Sequence, residues 1–174
     1  MVFKMKKWLN SLGLSVILLL LVACSNGNDV PTTPNYPPNI FADVSGSYDM
    51  HYKGLGKLFI TNSPSYGISI TSFYRDSLGK TYYLGLNVYF PGGKLTTGTF
   101  PIVSQAPDSS KIYGVAFFEV GNASYKQTFI SYSGEITISN VSNNKIEATF
   151  KFLAKDSDKN SVMIENGSLL IKEE

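Results

Sequence analysis

The sequence is short of the residues that most often carry chemistry. It has one cysteine, Cys24, and one histidine, His51. No intramolecular disulfide can form, and a zinc site, which needs a cluster of such ligands, is excluded. No G-x-S-x-G segment occurs, so the strained serine elbow of a hydrolase is missing. Charged residues are only 16% of the chain, whereas disordered chains are rich in charge and poor in aromatics. The net charge of +2 hides an asymmetry, because Lys4, Lys6 and Lys7 all lie in the first seven residues. The remainder, 24–174, holds 12 basic and 13 acidic groups, a balance of −1. That leaves no basic footprint for nucleic acid. A sustained 3.6-residue apolar period is also missing from 40–174, which argues against helices.

What is present begins with a leader. Residues 1–7 are short and basic, 8–22 are mostly apolar with an unbroken run over 16–23, and small Ala23 precedes Cys24. A charged head, an apolar stretch and a small residue at the cut describe a secretory signal. The unbroken run falls well short of the roughly 20 apolar residues that span hydrocarbon. An uncleaved membrane helix would have to draw Asn10 and Ser11 into the bilayer, which is costly. The ending Leu21-Val22-Ala23-Cys24 resembles the lipobox of bacterial lipoproteins. The resemblance implies cleavage before Cys24 and a diacylglyceryl thioether on its sulfur, with acylation of the new amine. Two or more acyl chains hold firmly where one holds marginally, at about 0.8 kcal/mol per buried CH₂. Ser25 follows where some Gram-negative sorting systems retain lipoproteins at the inner membrane through an aspartate. The expected location is the cell membrane, and the outer membrane or cell surface if the host is Gram-negative.

Residues 25–39 carry Pro31, Pro34, Pro37 and Pro38 among polar neighbours. Proline removes backbone donors, so neither helix nor sheet is favoured. An extended stretch at about 3.1 Å per residue reaches roughly 45 Å. The segment reads as a spacer, with a proline-motif ligand as the sharper alternative. The expected organisation is therefore a signal peptide over 1–23, a lipidated cysteine and linker over 24–39, and one domain over 40–174.

From Ile40 onward apolar residues alternate with period two, and aromatic enrichment at 13% with 15 glycines fits short strands and turns. Strands are expected over 40–45, 47–52, 57–62, 67–74 and 80–90. In the last of these Tyr82, Leu84, Leu86, Val88 and Phe90 point one way, and Tyr83, Asn87 and Tyr89 the other. Residues 111–120 are apolar on both faces, as a central strand should be. Gly121-Asn122 is a two-residue turn into 124–132. Ile136 and Ile138 alternate with polar residues, and Ile146, Ala148, Phe150 and Phe152 follow on one face of a returning strand. A last strand runs over 161–171. Eight to ten strands imply an all-β antiparallel sandwich or barrel.

The C-terminal segments 134–138, 146–152 and 162–167, with Leu95-Thr96-Thr97-Gly98-Thr99-Phe100 upstream, resemble small Bacteroidota lipoproteins built from a lipobox and a β-domain of unknown function. Ala148 departs from the glycine usual in them. The resemblance implies an all-β fold and an envelope location, and it carries no catalytic residues.

Candidate chemistry is thin. Asp49 and His51 share a strand face and would pair a base with its orienter, though a solvated face is the plainer reading. Gly54-Leu55-Gly56 has no third glycine and reads as a turn between strands. Residues 156–160 have the opening spacing of a calcium loop, but Ser161 and Gly167 stand where glycine and glutamate are needed, so a hairpin turn is favoured. Glu119 shares a face with Val115 and Phe117 and is the carboxylate expected to be partly buried, with no partner nameable. Tyr83 and Tyr89 are the remaining ligand-contact candidates, since aromatic faces on a rigid sheet stack on sugars or anchor a protein partner. Tyrosine also simply suits strands. The expectation is a non-catalytic envelope module without cofactor or metal, held to a membrane at Cys24. Its alternatives are a glycan-binding lipoprotein using Tyr83 and Tyr89, and a hydrolase built on Glu119 or on Asp49 and His51.

Overall fold

The period-two segments form nine strands that close into one barrel. A computed structural model describes residues 37–61, 66–104, 110–122, 124–142 and 144–172. The leader, Cys24 and the linker before Pro37 lie outside them. The strands are β1 (Ile40–Gly46), β2 (Met50–Thr61), β3 (Tyr66–Arg75), β4 (Thr81–Phe90), β5 (Gly98–Val103), β6 (Tyr113–Gly121), β7 (Lys126–Ser142), β8 (Lys145–Lys155) and β9 (Ser161–Lys172). Their order around the ring is β1-β2-β3-β4-β6-β5-β7-β8-β9, with β9 returning to β1. Neighbours run antiparallel except at one parallel contact, Ile102 of β5 beside Gly114 of β6.

The inner face is a solid core. Tyr82, Leu84, Leu86, Val88 and Phe90 of β4 point inward, as the alternation predicts, and so do Ile146, Ala148, Phe150 and Phe152 of β8. They meet Ile40 and Val44 of β1, Phe118 of β6 and Phe129 of β7, all buried. A barrel of this strand number has room for side chains or one small ligand. Here Tyr52, Phe90, Phe118 and Phe129 are among the largest side chains that fill it. Each buried apolar side chain contributes about 1.5–3 kcal/mol.

Two sequence expectations need correction. Gly54-Leu55-Gly56 is not a turn: it lies inside β2, which is continuous where two strands are expected. Both glycines face inward, where a Cβ on Gly54 would strike the Tyr52 ring and one on Gly56 the Ile40 side chain. The two strands expected around Gly134 likewise merge into the 17-residue β7.

The length of β7 lets it serve two partners. Residues 126–130 pair with β6 and residues 133–138 with β5. At the handover sits Ser131, fully buried. Its Oγ accepts from the Ala116 amide at 3.0 Å and donates to the Val103 carbonyl at 3.3 Å. One hydroxyl thus satisfies a donor on β6 and an acceptor on β5.

The two mouths differ. Four connections, β1–β2, β3–β4, β6–β7 and β8–β9, close one end. Tyr48 lies across that end, edge-on to Tyr82, Phe118 and Phe129 at 5.9–6.4 Å, with the Lys80 ammonium 4.6 Å from its ring centre. Its hydroxyl donates to Gln127 Oε1 at 2.7 Å, and Gln127 donates to Asp156 at 2.6 Å. The chain enters the barrel at the other mouth. There the Asn39 side chain bonds both the amide and the carbonyl of Gly56, while its backbone bonds Gly54 and Leu170.

Ser131→Ala should remove about 1–3 kcal/mol, the cost of a buried donor and acceptor left unmade. Urea denaturation measures it, and an unchanged midpoint would show that the fork between β5 and β6 holds without the hydroxyl.

Candidate functional site

The outer wall, not the interior, carries the polar and aromatic features. Tyr83 and Tyr89 both face outward on β4, 44% and 37% exposed. Six residues along one strand separate them by roughly 20 Å, so they do not form one site. The Tyr89 ring stacks on Tyr113 with centres 5.0 Å apart. Tyr83 instead lies between Phe73 of β3 and Glu119 of β6, its direct cross-strand neighbours.

That neighbourhood opens into a groove of about 470 Å³ near the tight-turn mouth. Its floor is the β4–β6 ladder, and its rims are the β3–β4 and β6–β7 hairpins. Arg75, Tyr83, Glu119, Asn122, Tyr125 and Lys126 face it. Glu119 is largely covered, with its side chain 16% exposed, in keeping with the sequence expectation. The partner that sequence could not name is Lys126, whose ammonium lies 2.8 Å from Oε2, while Thr128 donates to Oε1 at 3.4 Å. Asn122 Oδ1 accepts from the amides of Ser124 and Tyr125, which fixes the hairpin, and Tyr125 is 59% exposed. Arg75 is the chain's one arginine. It is exposed, and its guanidinium makes no ion pair or hydrogen bond among the described residues.

The pairing of Asp49 with His51 is not formed. Asp49 sits in the β1–β2 turn, whereas His51 lies in β2 opposite Asp43 of β1. His51 Nδ1 is 2.6 Å from Asp43 Oδ1, and Asn166 donates to Oδ2 at 2.8 Å. These hydrogen bonds, Asn166 first and then His51, hold the Asp43 carboxyl below its ordinary range. The imidazole is 84% exposed, and among the described residues no hydroxyl or thiol is hydrogen-bonded to it. An orienter and a base are in place, but no nucleophile completes them.

The loop with calcium-like spacing is a structural turn. Asp156 Oδ1 accepts from the amides of Asp158 and Asn160, and Oδ2 from the side chains of Asn160 and Gln127. All four donors belong to the protein, and two fall on each carboxylate oxygen. The β3–β4 turn repeats the arrangement, with Asp76 Oδ1 accepting from Leu78 and Lys80. Gly79 and Lys159 take the left-handed conformation at equivalent places, with φ of 81° and 67°. No group of three His, Cys, Asp or Glu side chains is placed to hold a metal among the described residues.

Sequence reasoning found Tyr83 and Glu119 but missed Arg75, Tyr125 and Lys126. The Gly121-Asn122 turn was the available signal, because the residues after it had to project from a hairpin tip. Comparison with protein-family models, curated proteins and solved structures finds no match to this chain.

Hydrogen bonds from Asn160 and then Gln127 hold the Asp156 carboxyl below its ordinary range. A carboxylate depressed in the folded state contributes stability that is complete above its unfolded value, about 3.9, and lost as pH falls through the folded one. Urea midpoints should therefore decline below about pH 4, and less steeply in Asp156→Ala. Identical acid limbs in parent and variant would rule this carboxylate out as a source of the decline.

Proposed function

We propose that this chain is a lipid-anchored cell-envelope protein, tethered through acylated Cys24, whose barrel works by binding or structural support and not by catalysis. The observation that carries the reading is the filled barrel interior, which leaves the outer wall as the place to meet a partner. The leader ending Leu21-Val22-Ala23-Cys24 supports the anchor. The chain enters the barrel at one mouth, and the groove lies beside the other. Membrane attachment at Cys24 places the protein at the cell membrane, and at the outer membrane or cell surface in a Gram-negative host. A second reading, binding of surface glycan, is favoured by the groove around Tyr83. Tyr89 falls outside that groove, paired with Tyr113.

In cells given labelled palmitate, the parent chain should carry the label and partition with membranes. Cys24→Ser should lose both properties. Membrane retention of the variant, or an unmodified thiol on the processed parent by mass spectrometry, would overturn the anchor.

A further inference from the structure

The groove between the β3–β4 and β6–β7 hairpins has a composition that selects among ligands. Two exposed tyrosines, Tyr83 from the sheet floor and Tyr125 from the hairpin rim, offer aromatic surface in a recess whose other side chains are mainly polar. The volume, about 470 Å³, falls within the range of small-molecule sites. A shallow recess of polar groups and aromatic faces suits a ring that is apolar on its faces and hydroxylated at its edge, which is the character of a pyranose. It does not suit an apolar peptide side chain, which requires a dry pocket.

Charge narrows the choice. Lys126 and Glu119 neutralise one another at 2.8 Å, and the pair is pinned further by Thr128. Arg75 has no such partner, so the groove carries one uncompensated positive charge. Guanidinium is planar and presents donors in a fork matched to a carboxylate. A phosphate dianion would face the Glu119 carboxylate with a second negative charge, whereas a carboxylate brings only one. The chain's sole arginine therefore stands beside two sugar-compatible rings, in a site whose net charge matches one carboxylate.

We infer that the groove is a binding site for an acidic glycan, with Arg75 receiving the carboxylate of a uronic acid residue while Tyr83 and Tyr125 stack on its ring or that of its neighbour. Glu119, held by Lys126, accepts from sugar hydroxyls. This inference rests on the reading of the barrel as a binding module and names its ligand class. The groove's place beside the tight-turn mouth, away from the point where the chain enters the barrel, leaves it open to a long polymer.

The test is calorimetric titration of the full lipidated chain in detergent with tetragalacturonate, and with its methyl ester as a probe of the same shape and no charge. Tetragalacturonate should bind, and the ester at least tenfold more weakly. Affinity for the acid should fall with added salt, as an ion pair at an exposed site requires. Arg75→Ala and Tyr83→Ala should each weaken binding tenfold or more, Arg75→Lys less, and Tyr89→Ala not at all. Far-ultraviolet circular dichroism checks that each variant folds. Equal binding of acid and ester, with Arg75→Ala unchanged, would overturn the acidic-ligand assignment and leave the binding-module reading in place. Binding that survives Tyr83→Ala and Arg75→Ala together would remove the groove as its location. No binding of either probe would overturn the inference altogether, and membrane partitioning of the Cys24→Ser variant decides the anchor independently.

Discussion

Halfway along its length β7 changes partners, from β6 to β5, and the buried Ser131 hydroxyl sits at the change. A strand leaving one neighbour for another strands an amide on the first and a carbonyl on the second. In a dry interior each would cost as much as a lost hydrogen bond. Ser131 bonds Ala116 and Val103 at once, so β5 can wedge between β6 and the far half of β7. The near half of β7 stays paired with β6, and that retained pairing makes the β6–β7 hairpin which rims the groove. The topology at the centre of the wall thus shapes one of the two rims of the recess at its end.

The same constraint makes the mouths unequal. With β5 confined to one half of the barrel, the other half has only tight hairpins at its end, and those turns are held by their own hydrogen bonds. Asp76 and Asp156 each gather the amides of their own turn, and Tyr48 ties the end together through Gln127 to Asp156. Loops pinned by hydrogen bonds present side chains at lower entropic cost than free ones. Arg75 and Tyr125 both extend from this end, on either side of the recess.

Local pattern carried the sequence reading as far as local physics reaches. The alternation on β4 and β8 sorts inward from outward residues correctly, because side chains on a strand alternate whatever the partner. Gly54 and Gly56 misled for a physical reason. Glycine marks turns through its freedom, but here it marks close packing beneath Tyr52 and Ile40, and nothing nearby in sequence shows that. The pairing of His51 also escaped, since its carboxylate, Asp43, comes from the strand beside it and not from two residues away. Lys126 as the partner of Glu119 was hidden for the same reason. Spacing along one strand finds a face; only strand register finds a site.

The point of attachment matters mechanically as well. If Cys24 anchors the chain, any drag on the barrel is borne where the chain enters it, at Asn39. That residue is bound on both sides, its side chain to Gly56 in β2 and its carbonyl to the Leu170 amide in β9. Just beyond it, β1 is laddered to β2 and β9 together, and its Ile40, Ala42 and Val44 side chains are buried in the core. Pulling β1 along its axis must shear two ladders at once instead of peeling one open from an edge. A barrel has no free edge strand to start from. The closed ring with its side-chain core thus leaves β1 laddered on both sides at the end where the chain enters.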